Sequence, residues 1–350
     1  MLALLCALVL ASEQNVKVVT PVERQVFQRT EAGVALVPIE VSAPAGIGNL
    51  VASVRPSAGG TTIASATLEG GRVGRADSPL GLFKAKLSVP AGGWYRLSVS
   101  VDGIAGPVEV AHVERFGVGE VFVVTGQSNS TNSGEEKIPS QDDRVSAFDG
   151  RAWTLAADPM PGVQDGSDGG SPWPTCGKAL VAAFNVPIAF ASRGYGGTSV
   201  LDWQKDAAPV RGKKAPLYTG LADCVKALGS IRAILWHQGE ADAGAGMSTA
   251  EYVAKFSALR DALAKDTGTT APWVVANVSF VPELEKPKMD PIRAAQQQLW
   301  KDKVALQGPD TDDLLGAMRH SQDKIHFSKA GLEAHAKRWS DRIVALFPKR

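Results

Sequence analysis

The period of the hydrophobic pattern changes once, at Phe116-Gly-Val-Gly-Glu120, and that change restricts the chain to two different architectures in tandem. Upstream, apolar and polar residues alternate at period two, as half-buried strands require. Downstream, short β-branched runs alternate with stretches of helix length, the pattern of a parallel sheet covered by helices. A chain of 350 residues has room for both. The expected division is a β-sandwich accessory domain over residues 15–114 and an α/β domain over residues 115–350.

The upstream alternation is strict where it can be checked. Phe83, Ala85, Leu87 and Val89 share one face against lysines and serine, and Tyr95, Leu97, Val99 and Val101 repeat the device. Pro90-Ala-Gly-Gly93 turns one run into the other, which makes a hairpin. Further strands are expected near Val16–Thr20, Val34–Val41, Leu50–Arg55, Thr61–Leu68 and Pro107–Val113, giving a small all-β immunoglobulin-like sandwich. It holds no cluster of catalytic residue types and reads as a support or binding module.

Charge excludes some partners. Lys and Arg number 37 against 36 Asp and Glu, with no long run of one sign, so there is no electrostatic footprint for nucleic acid. Met1 to Leu10 is an apolar run followed by Ala11 and Ser12, which suits the core of a signal peptide over residues 1–14 and is too short to span a bilayer. Export to the periplasm or the extracellular space is therefore expected. Removal of that segment takes Cys6 with it and leaves Cys176 and Cys224, too few for a disulfide framework. Oligomeric state is not legible.

In the α/β part, strands are expected at Val121–Thr125, Val186–Ala191, Ile231–Trp236 and Trp273–Val278. Helices are expected at Gly177–Phe184, Leu217–Leu228, Thr249–Lys265, Pro291–Lys303 and Lys329–Leu346. In strand order 2-1-3-4-5, right-handed crossovers place the first two of these helices, which carry Cys176 and Cys224, on opposite sheet faces, so the two thiols should stay unpaired. The long interval from Thr131 to Thr175 is expected to form part of a cleft wall.

Ligands bind outside the carboxyl ends of such strands. Ser128 stands just past the first one and is a nucleophile if a base reaches it. Ser192-Arg-Gly-Tyr-Gly-Gly-Thr-Ser199 follows the second, where a backbone N–H can approach a substrate oxygen unobstructed. Gly196 is the candidate oxyanion donor and Gly197 its alternative. Trp236-His-Gln-Gly-Glu240 follows the third, and the Gln238 amide could donate to an oxyanion. Asp323 and His326, three residues apart, can pair as orienter and base. Glu240, Arg193, Trp173 and Trp203 sit in expected cleft loops and could contact substrate, although the tryptophans could equally pack beneath those loops.

Gly126-Gln-Ser-Asn129, Gly196-Gly-Thr198, His237-Gln-Gly-Glu240 and Asp323-x-x-His326, in that order, resemble the motifs of the SGNH hydrolase superfamily, and within it the sialate O-acetylesterase-like carbohydrate esterases. The resemblance runs from Val118 to the C-terminus. Gly92-Gly-Trp-Tyr95 and Val118-Gly-Glu120 also look like marks of the β domain that some members carry. The superfamily's usual third-block Asn is Gln238 here. The resemblance implies a flavodoxin-like three-layer α/β fold and a serine esterase that needs no cofactor and removes acetyl groups from carbohydrates. It makes Ser128, His326 and Asp323 the triad and gives the oxyanion hole to Ser128, Gly196 and Gln238. Two other readings compete: a metal-dependent hydrolase using His237, Glu240, Asp242, His320, Asp323 and His326, and a glycan-binding protein on an inert hydrolase fold.

Overall fold

The structure, a computed structural model, describes residues 15–44, 46–72, 80–282, 284 and 286–348, so the expected signal segment and Cys6 lie outside the described residues. The chain divides after Gly119 into two compact units.

The first unit is built from β1 (Lys17–Thr20), β2 (Val26–Gln28), β3 (Val34–Pro44), β4 (Leu50–Pro56), β5 (Ala64–Thr67), β6 (Glu69–Arg72), β7 (Leu80–Pro90), β8 (Trp94–Gly103) and the first part of β9 (Gly106–Gly126). One sheet has the order β1-β3-β7-β6; in the other, β4 joins β5 and β8, and β8 joins β9, which also pairs with β2. Every pairing except β2 with β9 is antiparallel. Val37, Ile39, Val41 and Val89 from the first sheet meet Leu50, Val54, Leu97 and Val99 from the second in one buried cluster. Each such side chain removed from water contributes about 1.5–3 kcal/mol, which is why the alternation holds the two sheets together. The expected strand over Thr61–Leu68 is shorter, and the chain leaves it at Leu68 to enter the opposite sheet as β6.

The second unit holds the end of β9, β10 (Val145–Phe148), β11 (Trp153–Leu155), β12 (Ile188–Ser192), β13 (Ala233–His237), β14 (Trp273–Val275) and β15 (Leu306–Gln307). Their order is β11-β10-β12-β9-β13-β14-β15. Only the β10–β11 hairpin is antiparallel. The four expected strands thus lie side by side in the expected order, with β9 central. Strand β10, between the edge strand β11 and β12, is an addition from the long Thr131–Thr175 interval. All four of its residues are buried, so it carries no alternation to reveal it.

Among the described residues six helices cover the sheet: α1 (Trp173–Phe184), α2 (Leu217–Leu228), α3 (Glu240–Ala245), α4 (Thr249–Thr267), α5 (Lys286–Lys301) and α6 (Lys329–Leu346). They pack in two groups, α1 with α6, and α4 with α2 and α5, the last also holding α3. Helix α1 starts four residues before the expected Gly177, because Pro174 is well placed in a first turn, where no N–H partner is needed. Helix α5 starts ahead of the expected Pro291, which lies inside it. Cys176 and Cys224, on α1 and α2, are buried and free. Among the described residues no helix is long and apolar enough to cross a membrane.

Candidate active site

The site is built where β9 stops. Gly126 has φ 125°, and a Cβ there would stand 2.2 Å from the His237 carbonyl oxygen, so only glycine lets the two strand ends come this close. Gln127 N–H donates to that same carbonyl at 3.0 Å. A short 3₁₀ turn, Ser128–Ser130, follows, closed by Thr131 N–H onto Ser128 O at 3.0 Å and by Ser130 Oγ onto Gln127 O at 2.7 Å. Ser128 is half-buried at the head of this turn, between the buried Gln127 and Asn129. The buried Gln127 side chain accepts from Gly239 N–H and Gln238 Nε2, both at 3.2 Å, tying the turn to the loop after β13.

The Asp323-x-x-His326 segment pairs a carboxylate with an imidazole. Asp323 Oδ2 lies 2.7 Å from His326 Nδ1, and Asp323 Oδ1 accepts from the backbone N–H groups of Ile325 and His326 at 2.8 and 2.9 Å. Burial works to raise the Asp323 pKa, but the His326 ring and backbone hydrogen bonds outweigh it and hold the carboxyl below its ordinary range. His326 Nε2 is buried and has no hydrogen-bond partner among the described residues. Two links bring this segment to the serine turn. Glu135 N–H donates to Phe327 O at 2.9 Å. Asn129 Nδ2 donates to Glu240 Oε1 at 2.9 Å; burial pushes the Glu240 carboxyl above its ordinary range, and the Asn129 hydrogen bond and the nearby His326 ring offset only part of the rise. Arg319, which sequence reasoning overlooked, braces the histidine loop: its guanidinium donates to Ile325 O and Thr311 O at 2.7 and 3.0 Å and lies over the Phe327 ring.

The glycine loop reaches the serine as expected, but with an unforeseen partner. A Cβ on Gly196 would lie 3.5 Å from Ser128 Cβ and 3.3 Å from Asp165 Oδ2. Gly196 N–H donates to that Asp165 oxygen at 2.7 Å. Gly197 is exposed, with φ 70°. Asp165 comes from the long interval after Thr131, whose Gln164 N–H donates to Gly194 O at 2.8 Å. No period or motif marks Asp165; only its place in a Gly-rich loop near the site does.

Several expected roles are corrected. Gln238 is fully buried, and its amide N–H₂ is occupied by Thr198 O at 2.9 Å, Gln127 Oε1 and Asp242 Oδ2, while Tyr252 Oη donates to its Oε1 at 3.0 Å. With two N–H bonds and three acceptors it has none left to offer an oxyanion, and it organises the loops instead. Trp173 and Trp203 are fully buried: Trp173 donates to Ser130 O at 3.1 Å, and Trp203 donates to Thr198 Oγ1 at 3.1 Å, so both pack beneath the loops and cannot stack on a sugar. Arg193 spends its guanidinium on Gly162 O and Asp149 O at 2.9 and 2.6 Å, which leaves no fork for a sugar carboxylate. Glu240 is buried on Asn129 and positions the turn rather than touching substrate. The six alternative metal ligands do not converge: His237 turns to His335 at 3.2 Å, Asp242 to Ser199, Glu240 to Asn129 and His326 to Asp323. Among the described residues no three His, Cys, Asp or Glu side chains are grouped to hold a metal ion.

Residues 118–345 match the family described as carbohydrate esterase, sialic acid-specific acetylesterase. Of solved structures, a carbohydrate acetylesterase from Xanthomonas citri is similar with a TM-score of 0.57 at 18% identity, over 92% of this chain and 73% of that one. A protein from Arabidopsis thaliana gives a TM-score of 0.50 at 17% identity, over 65% of this chain and 98% of its own. Likeness at these identities speaks to the fold. No curated protein matches the chain.

Proposed function

Because this chain belongs to the sialic acid-specific acetylesterase family of carbohydrate esterases, and so is a carboxylic ester hydrolase, we propose that it removes O-acetyl groups from carbohydrates with Ser128 as nucleophile, His326 as base and Asp323 as orienter. The observation that carries this reading is the 2.7 Å contact between Asp323 Oδ2 and His326 Nδ1, which leaves His326 Nε2 buried and unpartnered among the described residues. An imidazole fixed through one nitrogen can accept a proton only at the other.

In the reaction, Ser128 Oγ attacks the acetyl carbonyl carbon as its proton passes to His326 Nε2. The tetrahedral oxyanion is stabilised by the backbone N–H groups of Ser128 and Gly196, with Gln238 holding the loops that carry them. Collapse expels the sugar oxygen, which takes the proton from His326. Water, deprotonated by the same imidazole, then attacks the acetyl-serine, and collapse releases acetate as Ser128 Oγ takes the proton back from His326. Among the described residues Ser128 and His326 share no hydrogen bond, and such contacts commonly tighten only with substrate in place.

The flavodoxin-like three-layer arrangement and the immunoglobulin-like character of the first unit belong to the same reading. They are supported by the parallel strand order around β9 and by the two packed sheets. Acetate release from a panel of acetylated xylan, sialic acid and pectin, with and without EDTA, tests the function. EDTA-resistant release from at least one glycan is expected. Binding without release would favour the glycan-binding alternative, and EDTA-sensitive release the metal one.

A further inference from the structure

Asp165 stands on the backbone donor that the proposed oxyanion hole needs. Its Oδ2 accepts from Gly196 N–H at 2.7 Å, and both it and Ser128 Cβ lie within 3.5 Å of the point where a Gly196 Cβ would be. A carboxylate left there would oppose the negative charge that develops on the acetyl oxygen, and it would hold the N–H meant to receive that charge. For the hole to work, Asp165 has to exchange Gly196 for another donor.

The surrounding backbone is tied on both sides. Gln164 Nε2 donates to Arg193 O and Leu217 O at 3.0 and 3.1 Å, and Ser167 Oγ is bonded to Asp165 Oδ1 and to Asn132 N–H at 2.5 and 3.2 Å. Exchange therefore asks for rotation of one side chain, with Oδ1 keeping Ser167 and Oδ2 changing partner. A hydroxyl group is the neutral donor that a sugar offers in abundance, and the one next to the ester is carried to the site with the acetyl group.

Resting on the esterase reading above, we propose that Asp165 is a specificity-determining residue: a free hydroxyl beside the acetyl ester takes Asp165 Oδ2, which releases Gly196 N–H to the oxyanion. Binding of the right sugar thus completes the hole. A simple ester lacks that donor and meets a hole still capped by Asp165. Selectivity is realised in turnover, since the freed N–H acts mainly on the transition state.

The test measures kcat/KM of the wild type and of Asp165→Ala on para-nitrophenyl acetate, a monoacetylated methyl xyloside with free hydroxyls, and the fully methylated ether of that xyloside. The wild type should favour the free xyloside over its ether by about tenfold, the size expected for one hydrogen bond to a charged group. Asp165→Ala should lose that preference and turn over para-nitrophenyl acetate faster, by about three- to tenfold. A merely structural residue would lower all three rates together, and that result overturns the assignment, as does equal or absent turnover of the two xylosides by the wild type. If Asp165→Ala does not fold, Asp165→Leu, close in size and with no atom to accept from Gly196 N–H, carries the same comparison. Unchanged turnover in Ser128→Ala would defeat the esterase reading itself, whereas a uniform loss in Asp165→Ala with Ser128 still essential would defeat only the role of Asp165.

Discussion

At the scale of single residues, the site depends on a short-range pair, Asp323 with His326, and on a long-range junction, Gln238 with the loops around it. Asp323 finds His326 three residues away, so spacing alone was enough to expect the pair. Gln238 owes its surroundings to Gln127, Thr198 and Tyr252, each from a different element, and its role was misjudged for that reason. Its removal separates two roles. Gln238→Ala would leave buried Thr198 O short of its partner and open a cavity among the loops, so stability should fall by about 1–3 kcal/mol. In a chain of this size that amounts to roughly 2–4 °C in Tm per kcal/mol. Thermal unfolding checks this. An unchanged Tm together with a turnover loss of about 10²–10³ would restore Gln238 as a direct oxyanion donor. Asp323→Asn should fold and still lose much of its turnover, on the order of 10³–10⁴, because an amide N–H facing Nδ1 favours the wrong imidazole tautomer. Steady-state rates near those of the wild type would show that another group orients His326.

At the scale of elements, periodicity revealed β3, β7, β8 and the long helices, whose one buried face repeats regularly. It missed β10, which is buried throughout, and β15, which is two residues long. The missed stretch matters for function, since the segment between β11 and α1 is the one that brings Asp165 to Gly196. The helix placement carries its own prediction. Burial pushes both thiols, Cys176 on α1 and Cys224 on α2, above the usual range, so the folded protein should resist a thiol reagent. In denaturant, without reduction, Cys176 and Cys224 should both be labelled. Labelling of neither would mean that they are paired.

At the scale of the whole molecule, the single change of period at Phe116–Glu120 was the most informative feature, because packing two sheets and covering a parallel sheet demand different patterns. The α/β unit also has a pH dependence that no motif announces. His237 and His335 are fully buried against one another, Trp339 donates to His335 at 3.0 Å, and burial lowers both pKa values, that of His237 to about 3. Below about pH 6.5 the unfolded chain binds protons at these positions that the folded chain refuses. The histidine contribution should therefore be full above that pH and fall as pH drops toward 3, opposed in part by buried carboxyls such as Asp158, which burial raises to about 6 and which hold protons better folded than unfolded. Urea unfolding that is flat between pH 7 and 5 would contradict this. The central claim, that Ser128 and His326 act as one unit, is tested most directly by the rate of acetate release from Ser128→Ala, His326→Ala and the double variant, all confirmed as folded. Each single change should remove most of the turnover, and the double variant should be little slower than either, since a nucleophile without its base and a base without its nucleophile are equally idle. Near-native release by Ser128→Ala, or losses that multiply in the double variant, would contradict the account.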